Sequence, residues 1–148
     1  MIHHFQLQTT WTGGRNDSAT IHAGNLQTTV SIPTNMGGPG IGTNPDEMLL
    51  GAAATCYVIT LAAMLERSGI EAKIDLQSHA QVDVTNGVFT YKQITHMPTI
   101  TLAANTEARK QDVAQRYAQK AEETCMISKA LRGNVDIEVQ AIVRVKMS

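Results

Sequence analysis

The stretch from residue 44 to residue 69 carries an unbroken apolar run that predicts one long helix. Eighteen uncharged residues run from Met48 to Leu65. Asn44 is a good N-cap, and the two carboxylates that follow stand in the first turn, where the helix dipole favours negative charge. Gly69 is a natural C-terminal stop. Because the apolar residues surround the helix instead of forming one stripe, we expect it either to be buried on all sides or to lie in a membrane.

Membrane insertion is the less favoured of these two alternatives, although eighteen residues are long enough to span a bilayer. The run includes five Ala, together with Gly51, Thr55 and Thr60, so it is only mildly hydrophobic. The rest of the chain consists of half-apolar strands that need a surface to pack on, and no other segment is large enough. We therefore interpret the run as the buried central helix of a soluble domain.

Alternation of apolar and polar residues predicts strands on both sides of this helix. The longest alternating segment after the helix ends at Asn86-Gly87, a strong signal for a two-residue hairpin turn. A second, amphipathic helix is predicted over residues 106–123, and a short turn over residues 128–131. The predicted strands are residues 2–12, 19–23, 26–32, 72–84, 89–103 and 135–145.

The order of these elements predicts an α+β fold, with antiparallel sheets packed on the long central helix. The chain has 148 residues and shows no repeat or linker, so a single domain over residues 1–148 is expected. A net charge of −1 gives no indication of a nucleic-acid partner. The sequence shows no secretion signal, which favours a cytoplasmic location.

The candidate chemistry lies in the two cysteines. Cys56 stands in the middle of the predicted central helix, where apolar surroundings should raise its pKa and make it inert unless a cation is brought to it. Cys125 lies beyond the second helix, in a less regular segment that is expected to move. One fixed and one mobile thiol are what a peroxide-reducing pair requires. The alternative is a pair of inert buried thiols.

Other polar residues give weaker signals. None of the five histidines pairs with a cysteine or carboxylate at zinc-ligand spacing, so surface or strand-end histidines are expected and no metal site is predicted. Asp46 and Glu47 on their own are typical of residues that complement a helix dipole. Arg15, which follows two glycines, is on its own typical of a solvated turn.

Several motifs together resemble the OsmC/Ohr family, the osmotically inducible and organic hydroperoxide resistance proteins. Their order and spacings agree with that family over more than a hundred residues. They are Thr12-Gly13-Gly14-Arg15, the loop from Gly37 to Pro45, Asp46-Glu47, the Ala-rich run to Cys56, and Cys125 followed by Ser128 and Arg132-Gly133-Asn134.

The resemblance implies a role for each matching residue. Cys56 corresponds to the peroxidatic cysteine and Cys125 to the resolving one. Arg15 corresponds to the arginine that stabilises the thiolate, and Asp46 to the carboxylate that holds this arginine. The family usually has Glu at that position, and because Asp is one methylene shorter, Glu47 is an alternative holder.

The resemblance also implies an intertwined homodimer with paired active sites at its interface. It implies a dithiol reductant such as a lipoylated protein, and no metal or organic cofactor. Met126 stands where a proline commonly follows the second cysteine. The loop and Arg15 resemble the hydroperoxide-resistance branch, whereas the Ala-rich helix resembles the osmotically inducible branch.

The sequence therefore predicts a cysteine-based thiol peroxidase that reduces organic hydroperoxides to alcohols. The reaction passes through a Cys56 sulfenic acid and a Cys56–Cys125 disulfide, and apolar neighbours such as Tyr57 favour an organic substrate. One alternative is a redox-sensing or small-ligand-binding protein of the same fold, and another is a structural protein with two buried thiols. Turnover separates them, because an enzyme consumes many equivalents of hydroperoxide and a sensor reacts about once.

Overall fold

The computed structural model describes residues 1–148, which form two compact units, Met1–Leu49 and Leu50–Ser148. Seven strands and three α-helices are present. They are β1 (Gln8–Thr9), β2 (Ala19–Ala23), β3 (Leu26–Val30), α1 (Pro45–Arg67), β4 (Ala72–Thr85), β5 (Val88–Leu102), α2 (Ala108–Thr124), α3 (Met126–Leu131), β6 (Asp136–Val139) and β7 (Ile142–Val145). The mixed α+β class is as predicted, and a single domain over the whole chain stays a prediction.

The first unit contains a small antiparallel sheet in the order β1, β2, β3. The strand predicted over residues 2–12 is reduced to the two residues of β1, whereas β2 and β3 lie close to the predicted positions. Ser31 closes the loop that follows, because its hydroxyl donates to Ile41 O at 2.8 Å and accepts from Ile41 N at 2.7 Å. Ser31 N also donates to Thr43 O at 3.0 Å, which leads the chain to the start of α1.

The predicted ends of the long helix are confirmed in atomic detail. Asn44 Oδ1 accepts a hydrogen bond from Glu47 N at 2.9 Å, and Glu47 Oε1 accepts one from Asn44 Nδ2 at 3.0 Å. This reciprocal pair resembles a capping box. At the other end Gly69 has a φ of 66°, and Ile70 N donates to Leu65 O at 2.9 Å, as in a Schellman motif.

Within one chain, the burial of α1 is confined to one face, which differs from the all-round burial expected from its composition. The buried side chains are Ala53, Tyr57, Leu61, Met64 and Leu65. On the opposite face Ile59 is 68% exposed. By length and composition alone, α1 is long and apolar enough to cross a membrane, and 28% of its most apolar window is buried.

The second unit is built on a sheet whose central strand is β5. β4 pairs with it antiparallel through the predicted hairpin turn, in which Asn86 and Gly87 have φ values of 53° and 76°. Positive φ at both positions is what a type I′ turn requires. β6 and β7 both pair with the other edge of β5 in parallel, whereas antiparallel pairing was expected.

The last predicted strand is divided into β6 and β7 at a point that faces Met97 and Pro98 of β5. The register is the same on both sides of the gap, from Gln93 opposite Asp136 to Leu102 opposite Val145. Proline has no N–H to donate to a ladder, so the pairing is interrupted where Pro98 lies. A bulge or an edge position was predicted for Pro98; instead it lies in a central strand, and the register shift of β4 and β5 falls between Gln81 and Val82.

The core of the second unit lies between one face of this sheet and the helices α1 and α2. α2 begins two residues later than predicted and contributes small side chains, which allow close approach to α1. A short helix, α3, extends the predicted turn over residues 128–131 toward Cys125. The buried cluster consists of Tyr57, Leu61, Met64, Leu65, Ile70, Ile100, Leu102, Ala114, Ala118 and Ala121.

Candidate functional site

The structure brings the two cysteines together, as the prediction of a redox pair requires. Cys56 lies in the middle of α1 and is partly exposed, and Cys125 is fully buried. Both thiols are free and close enough for a hydrogen bond between their sulfur atoms.

Cys125 is a single extended residue between two helices, so the segment around it is more regular than expected, and its mobility stays a prediction. It separates α2 from α3: its N–H donates to Ala121 O at 2.9 Å, and its carbonyl accepts from Lys129 N at 3.0 Å. α3 was not predicted from the sequence, because its six residues are too few to show helical periodicity.

The sulfur of Cys56 is held as the more acidic member of the pair. Burial alone raises its pKa, but hydrogen bonds from the Cys125 thiol and the backbone N–H groups of Ile127 and Met126 lower the pKa of Cys56 below its ordinary value. Thr60, whose hydroxyl donates to Cys56 O at 2.8 Å, makes a smaller contribution. Burial therefore acts in the expected direction, but hydrogen-bond donors outweigh it, where a cation was expected to be needed. The groups responsible are neutral donors and include no cation.

The same contact has the opposite effect on Cys125. Burial raises the pKa of Cys125, and the hydrogen bond that its thiol donates to Cys56 raises this pKa further. Of the two thiols, Cys56 is therefore the one that ionises more readily, and Cys125 is the one that keeps its proton. This is the order of reactivity needed when Cys56 is oxidised first, because the thiolate is the nucleophile.

Arg15, Asp46 and Glu47 all lie in the first unit. Arg15 is exposed and donates to Asn16 Oδ1 at 2.9 Å and to Met36 O at 3.1 Å. Asp46 is half-buried in the first turn of α1. Their implied roles at the thiolate stay predictions.

Glu47 has a structural role that the sequence already suggested. Its Oε1 accepts from Thr43 Oγ1 at 2.9 Å as well as from Asn44, so the carboxylate completes the cap of α1. The role of Asp46 or Glu47 as the holder of Arg15 stays a prediction.

His96 was missed by the sequence reasoning, which placed all five histidines at the surface or at strand ends. It is fully buried, its ring stacks on that of Tyr57 with centroids 4.6 Å apart, and its Nδ1 lies 2.6 Å from Ser78 Oγ. Burial lowers the pKa of His96 to about 4. The signal was available, because His96 has the same inward parity in β5 as Ile94 and Ile100.

Tyr57, the residue that follows the reactive cysteine, is fixed by a second contact. Its hydroxyl donates to Ala118 O at 2.8 Å, so the ring is anchored to α2 while its face stacks on His96. Burial, with a smaller contribution from the Glu122 carboxylate, raises the pKa of Tyr57, which keeps it neutral. This turn of α1 is therefore held rigidly behind Cys56. No group of three or more histidine, cysteine or acidic side chains is arranged to hold a metal ion.

Comparison with known proteins gives one consistent family. Residues 37–140 match the sequence profile described as OsmC-like protein. The chain is 54% identical over 143 residues to the uncharacterized protein YmaD of Bacillus subtilis, covering 96% of this chain and 95% of that one. It is 28% identical over 138 residues to the organic hydroperoxide resistance protein OhrB of the same organism, covering 92% and 96%.

Solved structures agree on the fold. The crystal structure of an organic hydroperoxide resistance protein OsmC from Legionella pneumophila superposes with a TM-score of 0.69 at 22% identity, covering 99% of both chains. The crystal structure of OhrB superposes with a TM-score of 0.61 at 25% identity, covering 94% of this chain and 98% of that one. The predicted fold is confirmed, and α1 is its core helix.

Proposed function

The chain belongs to the OsmC-like protein family, and from this premise we propose that it is a cysteine-based thiol peroxidase that reduces organic hydroperoxides to alcohols. The observation that carries the proposal is the contact between Cys56 and Cys125, in which the pKa of Cys56 is lowered and that of Cys125 is raised. Two inert structural thiols have no need of such a difference.

In the first step, the Cys56 thiolate attacks the terminal oxygen of the hydroperoxide. The S–O bond forms, the O–O bond breaks, and the alkoxide leaves and takes up a proton to give the alcohol. A sulfenic acid remains on Cys56. Arg15 is proposed to stabilise the negative charge that develops on the leaving oxygen, since a guanidinium is always charged and offers several donors.

In the second step, Cys125 attacks the Cys56 sulfenic acid, a disulfide forms and water leaves. The close contact of the two sulfurs favours this step over further oxidation of Cys56. An external dithiol, such as that of a lipoylated protein, then reduces the disulfide by exchange. The cycle needs no metal or organic cofactor, because two thiols supply both electrons.

The preference for organic over inorganic hydroperoxide follows from the apolar surroundings of Cys56. Met126, whose backbone contacts the Cys56 sulfur, has a side chain that is 71% exposed and available to a substrate. OhrB, similar along nearly its whole length, is named for resistance to organic hydroperoxides. These features support an apolar substituent on the peroxide. Separately, a cytoplasmic location is proposed.

The working unit is proposed to be an intertwined homodimer. The exposed face of α1 around Ile59 and the exposed apolar side chains near the N-terminus, Ile2, Phe5 and Trp11, need a cover that one chain does not provide. Residues 46 and 56 lie about 15 Å apart along α1 at 1.5 Å per residue. Arg15 and Asp46 of one chain are therefore proposed to act on Cys56 of the other.

Steady-state consumption of cumene hydroperoxide and of hydrogen peroxide, with dihydrolipoamide compared with a monothiol, tests the proposal. Many turnovers, faster with the organic peroxide and with the dithiol, are expected. Cys56→Ser provides the matched inactive control. A single equivalent consumed per chain would support a redox sensor instead, and no reaction of the free thiols would support a structural role.

A further inference from the structure

The hydroxyl of Ser128 has no role in the reaction described so far and is unusually placed. Ser128 is 1% exposed, and its Oγ has no hydrogen-bond partner in the reduced protein. A buried hydroxyl without a hydrogen-bond partner destabilises the folded protein. Such a group calls for a reason other than stability.

The position of Ser128 in α3 directs it toward the resolving cysteine. Cys125 is the N-cap of α3, and Ser128 is the third residue after it. At this spacing an N-cap side chain lies beside the third helical residue. The backbone N–H and the hydroxyl of Ser128 both lie close enough to the Cys125 sulfur to lower the pKa of Cys125, against the larger effects of burial and of Cys56.

We propose that Ser128 is a further catalytic residue of the same reaction, in which its hydroxyl donates a hydrogen bond to the Cys125 sulfur as that sulfur attacks the Cys56 sulfenic acid. The inference rests on the proposed peroxidase function. As the S–S bond forms, the S–O bond breaks, and the leaving hydroxide takes the proton of the Cys125 thiol to become water. The Cys56 sulfur is reduced and the Cys125 sulfur is oxidised.

The oxidation state of Cys56 determines when this donor is needed. In the reduced protein the Cys125 thiol donates a hydrogen bond to the Cys56 sulfur and keeps its proton, so Cys125 has no charge to stabilise. Once Cys56 is a sulfenic acid, that acceptor is gone and Cys125 must become the nucleophile. A buried thiolate without a donor is costly, and a hydrogen bond to a charged group is about twice as strong as a neutral one.

The other titratable groups near Cys125 are few. Cys56 faces it from α1. On α2 the last turn carries Glu122 and Glu123, and Arg132 just after α3 lies 3.8 Å from Glu122 Oε1. Arg132 also donates to Glu123 O at 3.3 Å. The charges of Glu122 and Arg132 are paired with each other. The neutral donors at the Cys125 sulfur are then the Ser128 hydroxyl and the backbone N–H groups of Ser128 and Ile127.

Single-turnover kinetics of Ser128→Ala test the inference. Disulfide formation should slow about tenfold relative to the oxidation of Cys56, and its pH midpoint should move upward, because a thiolate has lost a donor. A residue with only a structural role would not move the pH midpoint. Thr124→Ala is the matched control, since Thr124 adjoins Cys125 but donates to Lys120 O at 3.0 Å.

Ultraviolet titration of the thiolate gives a second readout that needs no peroxide. In Cys56→Ser the only thiol is Cys125, so the double variant Cys56→Ser/Ser128→Ala should show a higher thiolate midpoint than Cys56→Ser alone. If wild-type protein consumes no hydroperoxide, both the proposed function and this inference fail. If it turns over, but Ser128→Ala changes neither the second step nor the titration, only this inference is overturned.

Discussion

The two compact units of the chain differ in how well they cover their own apolar surface. In Leu50–Ser148, a large set of side chains around Tyr57 and Ile100 is fully buried between helices and sheet. In Met1–Leu49 the apolar side chains of the first segment are open, and Phe5 is 94% exposed. The backbone of this unit is nevertheless ordered by hydrogen bonds, such as those of Ser31.

The same division separates the chemistry. The second unit holds both cysteines and, within itself, the neutral donors that lower the pKa of Cys56. The first unit holds Arg15 and Asp46, the charged residues implied by the family resemblance. The packed unit alone thus lowers the pKa of Cys56, whereas charge stabilisation is expected from the unit whose apolar side chains are exposed. Variants in each unit can therefore measure how far the function of that unit depends on a second chain.

The largest effect is expected from the cysteines of the packed unit. Cys56→Ser should abolish reaction with hydroperoxide, because no other thiol has a lowered pKa. Cys125→Ser should still consume one equivalent and accumulate a sulfenic acid that over-oxidises. Single-turnover kinetics with a sulfenic-acid probe and intact mass provide the measurement. Equal loss of the first oxidation step in both variants would contradict the unequal roles of the two thiols.

A smaller but still large effect is expected from the first unit. Arg15→Ala should slow the first step by about a hundredfold, the order of effect seen when a charge-stabilising donor is removed. Arg15→Lys should recover only part of the rate, because the planar fork of donors is lost. The alkylation rate of Cys56 against pH measures how much of this effect is on the thiolate itself.

Complementation decides whether the two units act across chains. Inactive Cys56→Ser and Arg15→Ala chains, co-refolded, should recover part of the activity, since one composite site in the heterodimer has both groups. Sedimentation should show a dimer that persists at micromolar dilution. Heterodimers confirmed by native mass spectrometry that remain inactive, or a fully active monomer, would show that each site is built from a single chain.

Local signals predicted most of the fold, but they did not predict how strands that are distant in sequence pair with one another. Asn44, Gly69 and Asn86-Gly87 each specify a helix end or a turn through their own backbone preferences, so the structure follows them closely. Alternation located β4 and β5 but carries no information on which neighbour a strand selects. The parallel pairing of β6 and β7 with β5 is therefore absent from the sequence pattern.

The site was predicted to the extent that it depends on residue identity. Family resemblance identified Cys56 and Cys125, and the structure places them in contact. The neutral donors that lower the pKa of Cys56 were not predicted, because they include backbone N–H groups of Met126 and Ile127, far along the chain. Because every residue except proline has a backbone N–H, the sequence does not indicate which of these groups will donate to the site.

Acid sensitivity of the packed unit should come from His96. Its folded-state pKa is lowered to about 4, from an ordinary value of 6.5, so the unfolded chain binds a proton that the folded chain does not. This contribution to stability is complete above pH 6.5 and is lost as the pH falls toward 4. Between pH 7 and pH 5 the free energy of unfolding should decrease by about 2 kcal/mol.

Urea unfolding at fixed chain concentration, at pH 7 and pH 5, measures this loss. His96→Gln should flatten the pH dependence in this range, even though the loss of stacking on Tyr57 lowers stability at both values. His79→Gln is the matched control, because His79 lies exposed on β4. A pH dependence unchanged in His96→Gln would assign the acid sensitivity to another group.

The smallest effect, and the sharpest test of how the packed unit prepares its thiolate, is expected from Met126→Pro. Met126 is the first residue of α3, where proline is well tolerated, and Cys125 before it has φ −60° and ψ 129°, the extended conformation that proline requires of its predecessor. The fold should therefore be kept while one N–H donor to Cys56 is lost. The pKa of Cys56 should rise by about one unit, and its reaction with hydroperoxide at neutral pH should slow several-fold. Met126→Ala removes the side chain but keeps the N–H, so its pKa should stay at the wild-type value. Equal midpoints in all three proteins, measured by alkylation rate against pH, would leave the Cys125 thiol and the Ile127 N–H as the donors that activate Cys56.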